Sequence, residues 1–279
     1  METIAFALVL LAALMHASWN AMVKINTAPL LTISMMFGFI TMAGIVILPW
    51  VPLLPLALWP WLLLSIVAHL GYKIYLLKAF RLGNFSQAYP IARGSGPIWV
   101  LLLSVFFAPR SLSIEQIIGV LVTTVGIIAL SPWQRLKGQG SVVLAALITG
   151  IWIAAYTLID GYVVTHSKAL VSYICWLFIL DGVVINLFAL KVHGAELGHA
   201  YTKHWRLAAL GGGLSVAAYS ISLWAMTILP VALVAALRET SVLAAVLLAV
   251  VWIKEPLGPR QYGAALVICS GLVVLKLAS

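Results

Sequence analysis

One phrase occurs twice in this sequence, as LAALMHASW at residues 11–19 and as LAALITGIW at residues 144–152. Each copy opens a long apolar run, and each run begins one half of the chain. A duplicated and almost wholly apolar chain is typical of secondary transporters, in which the substrate site lies between two related halves. The repetition therefore predicts a duplicated membrane protein.

The composition supports this prediction. The 279 residues are 64% hydrophobic and 8% charged, and the mean hydropathy is +1.14. A soluble domain carries about 25% charged residues, so this chain lacks the polar surface that water requires. A span in lipid must satisfy its backbone hydrogen bonds internally, which leaves helices or a closed barrel. Barrel strands alternate apolar and polar residues, whereas the runs here are continuous. The predicted fold class is an all-α membrane protein.

Ten apolar segments predict ten transmembrane helices, at residues 3–23, 30–48, 58–79, 86–107, 113–130, 141–163, 169–190, 206–228, 231–252 and 260–277. The first spans of the two halves align at an offset of 133 residues, and the later spans align at 146 when Ala79 matches Ala225. A longer loop near residues 191–206 accounts for the difference. Five helices per half predict inverted repeats, at 1–130 and 141–277, around a central cavity, with a linker at 131–140.

The net charge of +9 does not indicate nucleic-acid binding, because the basic residues lie mostly at loops, as anchors and topology signals. Three of them lie on one face of the predicted bundle, namely Arg110, Lys168 and Lys276. Ten lie on the other face, namely Lys24, Lys78, Arg81, Arg135, Lys137, Lys191, Lys203, Arg206, Lys254 and Arg260. This bias puts the second face in the cytoplasm and both chain termini outside.

The fourth predicted span contains a charge between two prolines. Residues 89–97 read Tyr-Pro-Ile-Ala-Arg-Gly-Ser-Gly-Pro, with Arg93 at the centre. Pro90 and Pro97 each remove a helical hydrogen bond, which predicts a kinked or broken helix with exposed backbone groups. Such backbone is tolerated in a membrane where it lines a cavity. The alternative is a kink packed on neighbouring helices, with Arg93 extending to the interface.

A second charge lies at the equivalent depth of the ninth span. At the offset of 146, Arg93 matches Glu239, and Arg238 lies beside it. Adjacent helical residues point about 100° apart, so Arg238 and Glu239 do not face one point. One hypothesis is that Arg93 pairs with Glu239 across a pseudo-two-fold axis while Arg238 reaches substrate. The other is a static Arg–Glu pair with a structural role.

Two stripes with a spacing of four residues lie in corresponding spans: His16, Asn20 and Lys24 in the first, and Trp152, Tyr156 and Asp160 in the sixth. Residues four apart share a helix face, so both stripes are predicted to face the cavity. Lys24 and Asp160 are alternatively anchors near helix ends. His16 is either a proton carrier or a hydrogen-bonded packing residue.

Further polar residues lie within the spans: His69, Tyr72, Lys73 and Tyr75 in the third, Asp181 in the seventh, and Tyr219, Ser222 and Trp224 in the eighth. The sequence identifies no partner for Asp181. It contains no Ser-His-Asp arrangement, no paired-His metal motif and no phosphate loop. We therefore predict no enzyme activity, no cofactor and no metal site, and a carrier that does not hydrolyse ATP.

Several of these features together resemble the EamA branch of the drug/metabolite transporter superfamily. They are the two five-span halves, Trp19 in the opening span, Tyr89-Pro90 in the fourth, and two motifs at the last span, Lys-Glu-Pro-Leu at 254–257 and Gln-Tyr-Gly at 261–263. The stretch at residues 15–24 is also similar to a subgroup associated with bacterial phosphonate use. The resemblance covers the whole chain.

The resemblance implies a multi-pass protein of the bacterial inner (plasma) membrane that carries small metabolites without ATP. It also implies a cavity lined by the first, third, fourth, sixth, eighth and ninth spans. Family topology puts both termini inside, contrary to the charge bias, and the two alternatives remain open.

The sequence thus predicts a secondary transporter of a small polar metabolite, such as an amino acid or organophosphonate, with a proton as a candidate coupling ion. The alternative is a multidrug or quaternary-ammonium efflux carrier, because Trp19, Trp152 and Tyr156 could hold a cation against their rings. A membrane-embedded enzyme or a scaffold without a solute path are further classes. The predicted substrate-binding residues are His16, Trp19, Asn20, Lys73, Tyr89, Arg93, Trp152, Tyr156, Tyr219, Arg238 and Glu239.

Overall fold

The computed structural model of the protein describes residues 1–25, 28–83, 85–107, 112–132, 138–248 and 258–278. These residues form an all-α bundle. Its helices are α1 (Glu2–Ile25), α2 (Pro29–Ile47), α3 (Trp59–Leu82), α4 (Phe85–Phe107), α5 (Ile114–Ala129), α6 (Gly140–His166), α7 (Leu170–His193), α8 (Glu196–Met226), α9 (Val231–Glu239), α10 (Ser241–Leu248) and α11 (Pro259–Leu277). Only Thr240 separates α9 from α10, so the two together occupy the ninth of the ten predicted segments.

Seven of the described helices are long and apolar enough to cross a membrane, namely α1, α2, α3, α6, α7, α8 and α11. A helix rises about 1.5 Å per residue, so about 20 residues cross the hydrocarbon core. The helix α5, with 16 residues, is a shorter apolar helix. By helix length and hydropathy the chain is a multi-pass membrane protein.

The helix boundaries follow local sequence signals. Proline occupies the first turn of α2, α3 and α11, where its missing N–H group has no helical partner to lose. The helix α5 begins with a capping box, in which Ser113 Oγ accepts from the Gln116 amide at 3.2 Å and Gln116 Oε1 accepts from the Ser113 amide at 3.1 Å. The beginnings of these four helices therefore lie close to their predicted positions.

The helices pack in a few extensive pairs. The helix α3 packs against α6, α1 against α8, α2 against α7 and α8, α4 against α6, and α5 against α11. Glycine permits the closest of these contacts. A Cβ at Gly212 of α8 would lie 2.8 Å from the Met36 carbonyl oxygen of α2, and one at Gly126 of α5 would lie 2.9 Å from the Ile268 amide nitrogen of α11. Small residues thus bring these backbones together, as is usual in membrane bundles.

The largest apolar core lies at one end of the bundle. It joins the beginnings of α1, α3 and α7 to the ends of α6 and α8 and to α9, through residues such as Phe6, Leu62, Tyr173, Leu223 and Leu233. Trp59 and Trp176 pack against this core, with their ring centroids 5.0 Å apart. This end of the bundle is therefore closed.

The predicted loop at residues 191–206 is wrong. The helix α7 continues to His193 and α8 begins at Glu196, with a kink at His204 (φ −122°, ψ 22°). The segment lacks a continuous apolar run, but Tyr201 within it contacts the bundle. The Tyr201 hydroxyl lies 2.9 Å from the Ser34 carbonyl oxygen and 2.7 Å from Asn186 Oδ1. The longer connection at residues 191–206, which distinguishes the second half of the chain from the first, is therefore mostly helical.

The prediction that the fourth span is broken and lines the cavity is not borne out by the described residues. The helix α4 remains α-helical through Pro90 and Pro97. It packs against α5, α6 and α9, and these contacts hold the backbone where the prolines remove hydrogen bonds. The Lys-Glu-Pro-Leu motif at 254–257, together with Arg110, Arg135, Lys137 and the side chain of Lys24, lies outside the described residues.

Candidate functional site

A cavity of about 340 Å³ lies within the bundle. The helices α1, α2, α3, α6, α7, α8 and α9 contribute to its wall, which is mostly apolar. Its polar side chains include His16, Asn20, His69, Tyr72, Lys73, Tyr156, Asp181, Ser215, Tyr219 and Arg238. The volume and the sparse polar groups are those of a site for a small organic molecule.

The cavity extends toward the end of the bundle opposite the closed core. His69, Tyr156 and Tyr219 border it at mid-depth, while Pro29, at the beginning of α2, and Gly83, just after α3, border it at the other extreme. Lys78, Arg81 and Lys191 lie at the ends of α3 and α7. The cavity thus runs from the middle of the bundle toward the connections that follow α1 and α3.

Seven of the eleven predicted site residues line the cavity: His16, Trp19, Asn20, Lys73, Tyr156, Tyr219 and Arg238. Tyr89, Arg93, Trp152 and Glu239 are not among its lining residues. The helix α4 contributes no described lining residue, whereas α2 and α7 do. Among the described residues, the lining helices thus differ from the set that the family resemblance implies: the second and seventh spans contribute, and the fourth does not.

Trp152 faces α3 instead of the cavity. A Cβ at Gly71 would lie 2.5 Å from the Trp152 ring, so the indole occupies the space that this glycine leaves. Trp152 and Tyr156 share a helix face only approximately, because four residues turn a helix by more than one full turn. The prediction that Trp152 faces the cavity with Tyr156 is therefore wrong.

Lys73 of α3 and Asp181 of α7 form an ion pair on the cavity wall. Lys73 Nζ also lies 4.6 Å from the ring centroid of Phe37. Both charged side chains are nearly buried, at 9% and 5% exposure. No local sequence pattern predicts this pair, because it joins residues 108 positions apart.

Arg93 and Glu239 form a second ion pair, with Arg93 Nε 2.5 Å from Glu239 Oε2. The approach is close, but the two atoms lack the alignment of a hydrogen bond. Arg93 is 1% exposed, so the alternative in which it extends to the interface is wrong. The pairing of Arg93 with Glu239 is confirmed.

Arg238 faces the cavity, away from that pair. Its guanidinium carbon lies 4.8 Å from the ring centroid of Tyr219. Among the described residues it has no ion-pair partner. The prediction that Arg238 and Glu239 point to different places is therefore confirmed, and Arg238 is the arginine on the cavity side.

Asp160 is fully buried and accepts hydrogen bonds from three hydroxyl groups. Ser65 Oγ lies 2.5 Å and Tyr173 Oη 2.6 Å from Asp160 Oδ1, and Tyr219 donates to Oδ2. The prediction that Asp160 faces the cavity and the alternative that it is an anchor near a helix end are both wrong, because the side chain is fully buried and is not among the lining residues. Tyr219 lies between Asp160 and Arg238. Its hydroxyl donates a hydrogen bond to Asp160, and its ring packs against the Arg238 guanidinium.

Aromatic rings border the cavity at mid-depth. His69 stacks on Tyr156 with centroids 4.2 Å apart, and Tyr219 meets the edge of His69 at 5.7 Å. Tyr72 lies 5.8 Å from Tyr156. This cluster offers both ring faces and polar atoms to a bound solute.

Two nitrogen atoms on α1 are buried and have no hydrogen-bond partner among the described residues. They are His16 Nε2 and Trp19 Nε1, and both side chains line the cavity. Their rings meet edge to face, with centroids 5.0 Å apart. His16 Nε2 thus makes no hydrogen bond with the described residues, and the role of His16 stays a prediction.

The described residues contain no group of three or more His, Cys, Asp or Glu side chains placed to hold a metal ion. Cys175 and Cys269 are free thiols.

No family model matches the chain, and no curated protein matches it. Solved structures do share its fold. One of them, described only as "Crystal structure of protein", superposes with a TM-score of 0.77 at 18% sequence identity, over 99% of each chain. At this identity the likeness concerns the fold alone, over the whole length of both chains.

Proposed function

We propose that this protein is a secondary transporter that carries a small polar metabolite by alternating access. The observation that carries the proposal is the cavity of about 340 Å³, which brings Lys73, Asp181 and Arg238 together inside a bundle of apolar helices. Ionised groups are costly at membrane depth and usually border a solute pathway or a partner. A scaffold without a solute path gives no reason for them.

The arrangement of the two ends supports alternating access. One end is closed by the core around Leu62 and Leu223, while the cavity reaches the other end near Pro29 and Gly83. A carrier exposes its site to one side at a time. We infer a state open toward the Lys- and Arg-rich end, which the positive-inside rule assigns to the cytoplasm of a bacterial inner membrane.

We further propose that residues 1–130 and 141–277 are inverted repeats. Under this correspondence α1 matches α6, α2 matches α7, α3 matches α8 and α5 matches α11. The helix packing supports it: the pair α3–α6 has its counterpart in α8–α1, and α2–α7 and α5–α11 each join matched helices. The site would then lie between the halves, and Arg93 would pair with Glu239 across the axis.

Two substrate classes compete. An anionic or zwitterionic metabolite, such as an organophosphonate or amino acid, is favoured by Arg238 and by the unpaired nitrogens of α1. A quaternary ammonium compound is favoured by the ring cluster of His69, Tyr156 and Tyr219. We prefer the first, because the arginine already covers the Tyr219 face.

Thiol accessibility tests the solute path directly. In a background without Cys175 and Cys269, single cysteines replace Leu77 or Ile185 on the wall, and Leu62 or Leu223 in the closed core, as matched controls. A membrane-impermeant, anionic methanethiosulfonate, which matches the charge of the proposed substrate, should label the first two positions and spare the controls. A scaffold without a solute path predicts no labelling at any of the four.

A further inference from the structure

We propose that Arg238, His16 and Trp19 form an anion subsite that holds a single carboxylate or phosphonate group, and that this group carries the only charge of the substrate. The inference rests on the proposed transport function and specifies the chemistry of its substrate. It separates an amphipathic monoanion from the zwitterions and cations that the cavity could otherwise hold.

The distribution of charge around the cavity singles out Arg238. Lys73 is paired with Asp181, and Arg93 with Glu239. Arg238 makes no ion pair or hydrogen bond within the described parts of the chain, and its guanidinium lies over the Tyr219 ring. A guanidinium group carries five N–H donors, and leaving them unpaired inside a protein is costly. An anion in the cavity would satisfy them.

Asp160 does not fill that role. It is fully buried, is not among the cavity-lining residues, and accepts hydrogen bonds from Ser65, Tyr173 and Tyr219. It offsets the charge of Arg238 across the Tyr219 ring but gives the guanidinium no acceptor. The cavity side of Arg238 therefore remains available.

Two further side chains with unpaired nitrogen atoms, His16 and Trp19 of α1, line the same cavity. Trp19 Nε1 can only donate, and it is unpaired in a side chain that is 8% exposed. His16 Nε2 is likewise unpaired and donates in one of the two ring tautomers. His16 and Arg238 both border the cavity and an adjoining crevice between α1, α8 and α9, so the two groups lie close together.

Among the described residues, the rest of the wall contains no free counter-charge for a cation. Asp181, the acidic residue among the lining side chains, is held by Lys73. Ile33, Leu76 and Phe178 give the remaining surface its apolar character. A zwitterion would bring an ammonium group without a carboxylate to receive it, whereas an uncharged apolar body suits these side chains.

A set of ligands with a common benzyl group tests the charge requirement on the wild-type protein. Phenylacetate and benzylphosphonate present the anion, phenylacetamide a neutral isostere, phenylalanine a zwitterion, and benzyltrimethylammonium a cation. Calorimetric titration in detergent should show binding of at least one anion, with the amide about tenfold weaker or worse. The tighter anion identifies whether carboxylate or phosphonate is preferred.

Two conservative variants test the residues. Trp19→Phe removes the N–H group and keeps a ring, and Trp152→Phe is its matched control, because Trp152 packs on Gly71 away from the cavity. We expect Trp19→Phe to weaken anion binding about tenfold and Arg238→Gln about a hundredfold, with Trp152→Phe unchanged. Gel filtration and thermal unfolding confirm that each variant is folded.

The outcomes separate this inference from the transport proposal. Equal affinity for phenylacetate and phenylacetamide, or binding of no anion, overturns the anion subsite. Preferential binding of benzyltrimethylammonium overturns it too, while leaving a solute carrier in place. Unchanged anion affinity in Trp19→Phe and Arg238→Gln shows that the anion binds elsewhere. The transport proposal fails separately, if the wall cysteines at 77 and 185 stay unlabelled.

Discussion

The buried pair of Arg93 and Glu239 should act as a structural clasp, and removing one partner should be far more harmful than removing both. The two side chains are 1% and 2% exposed, and neither is among the cavity-lining residues. Glu239→Gln leaves the guanidinium without a counter-charge in an apolar interior. Breaking a buried ion pair from one side costs about 3–5 kcal/mol. Arg93→Met, which leaves the carboxylate unpaired, should cost a similar amount.

The double variant Arg93→Met/Glu239→Leu provides the decisive comparison. Apolar residues of similar volume often replace a buried pair at no cost, or stabilise by about 1–4 kcal/mol. Reversible unfolding in mixed dodecylmaltoside and SDS micelles, followed by circular dichroism, gives the free energies of unfolding. We expect each single variant to lose about 3–5 kcal/mol and the double variant to recover most of it.

Two results would refute this reasoning. A loss below about 1 kcal/mol in Glu239→Gln would mean that the pair contributes no more than a surface ion pair does. A double variant that is stable but no longer binds the anionic ligands would place the pair in the substrate site. The exchanged pair, Arg93→Glu with Glu239→Arg, adds an independent check, because a clasp should keep ligand binding when its charges are exchanged.

Two further predictions concern packing and hydrogen bonding around the cavity. Tyr219→Phe removes one of three donors to Asp160 and should lower the free energy of unfolding by about 1.5–3 kcal/mol, with Tyr72→Phe as the matched control; equal losses would contradict the role of that hydroxyl. Gly71→Ala places a methyl group 2.5 Å from the Trp152 ring and should cost about 1–3 kcal/mol, most of which Trp152→Leu should restore in the double variant; no rescue would contradict the contact.

Hydropathy located most of the helices because the spans are bounded by proline, glycine and polar residues. The predicted segments at 30–48 and 260–277 lie within a residue of α2 and α11. The helix α8 begins ten residues before the predicted span, because Glu196, His199 and Lys203 give its first turns the polar composition of a loop. Within this stretch Tyr201 hydrogen-bonds α2 and α7, and no local pattern reveals these contacts.

The sequence predicts how deep in the membrane each candidate site residue lies, but not which neighbour its side chain faces. Hydropathy and the repeat register placed Arg93, Arg238 and Glu239 at the middle of their spans, and the turn between adjacent residues separated Arg238 from Glu239. How far each helix is rotated about its axis decides which face meets the cavity, and packing sets that rotation. For this reason the sequence predicts that Trp152 faces the cavity, whereas its ring packs on Gly71 of α3. Asp181 and Lys73 could not be paired for the same reason.

Solute flux into sealed proteoliposomes tests the central claim most directly. Protein-containing and protein-free vesicles are loaded or left empty, and the uptake of radiolabelled benzylphosphonate, phenylalanine and benzyltrimethylammonium is followed with and without a proton gradient. A secondary transporter predicts saturable uptake of at least one compound without ATP, accelerated by the same compound on the opposite side, with benzylphosphonate favoured and Arg238→Gln impaired. Uptake of all three at the rate of protein-free vesicles, under every gradient, would contradict the account.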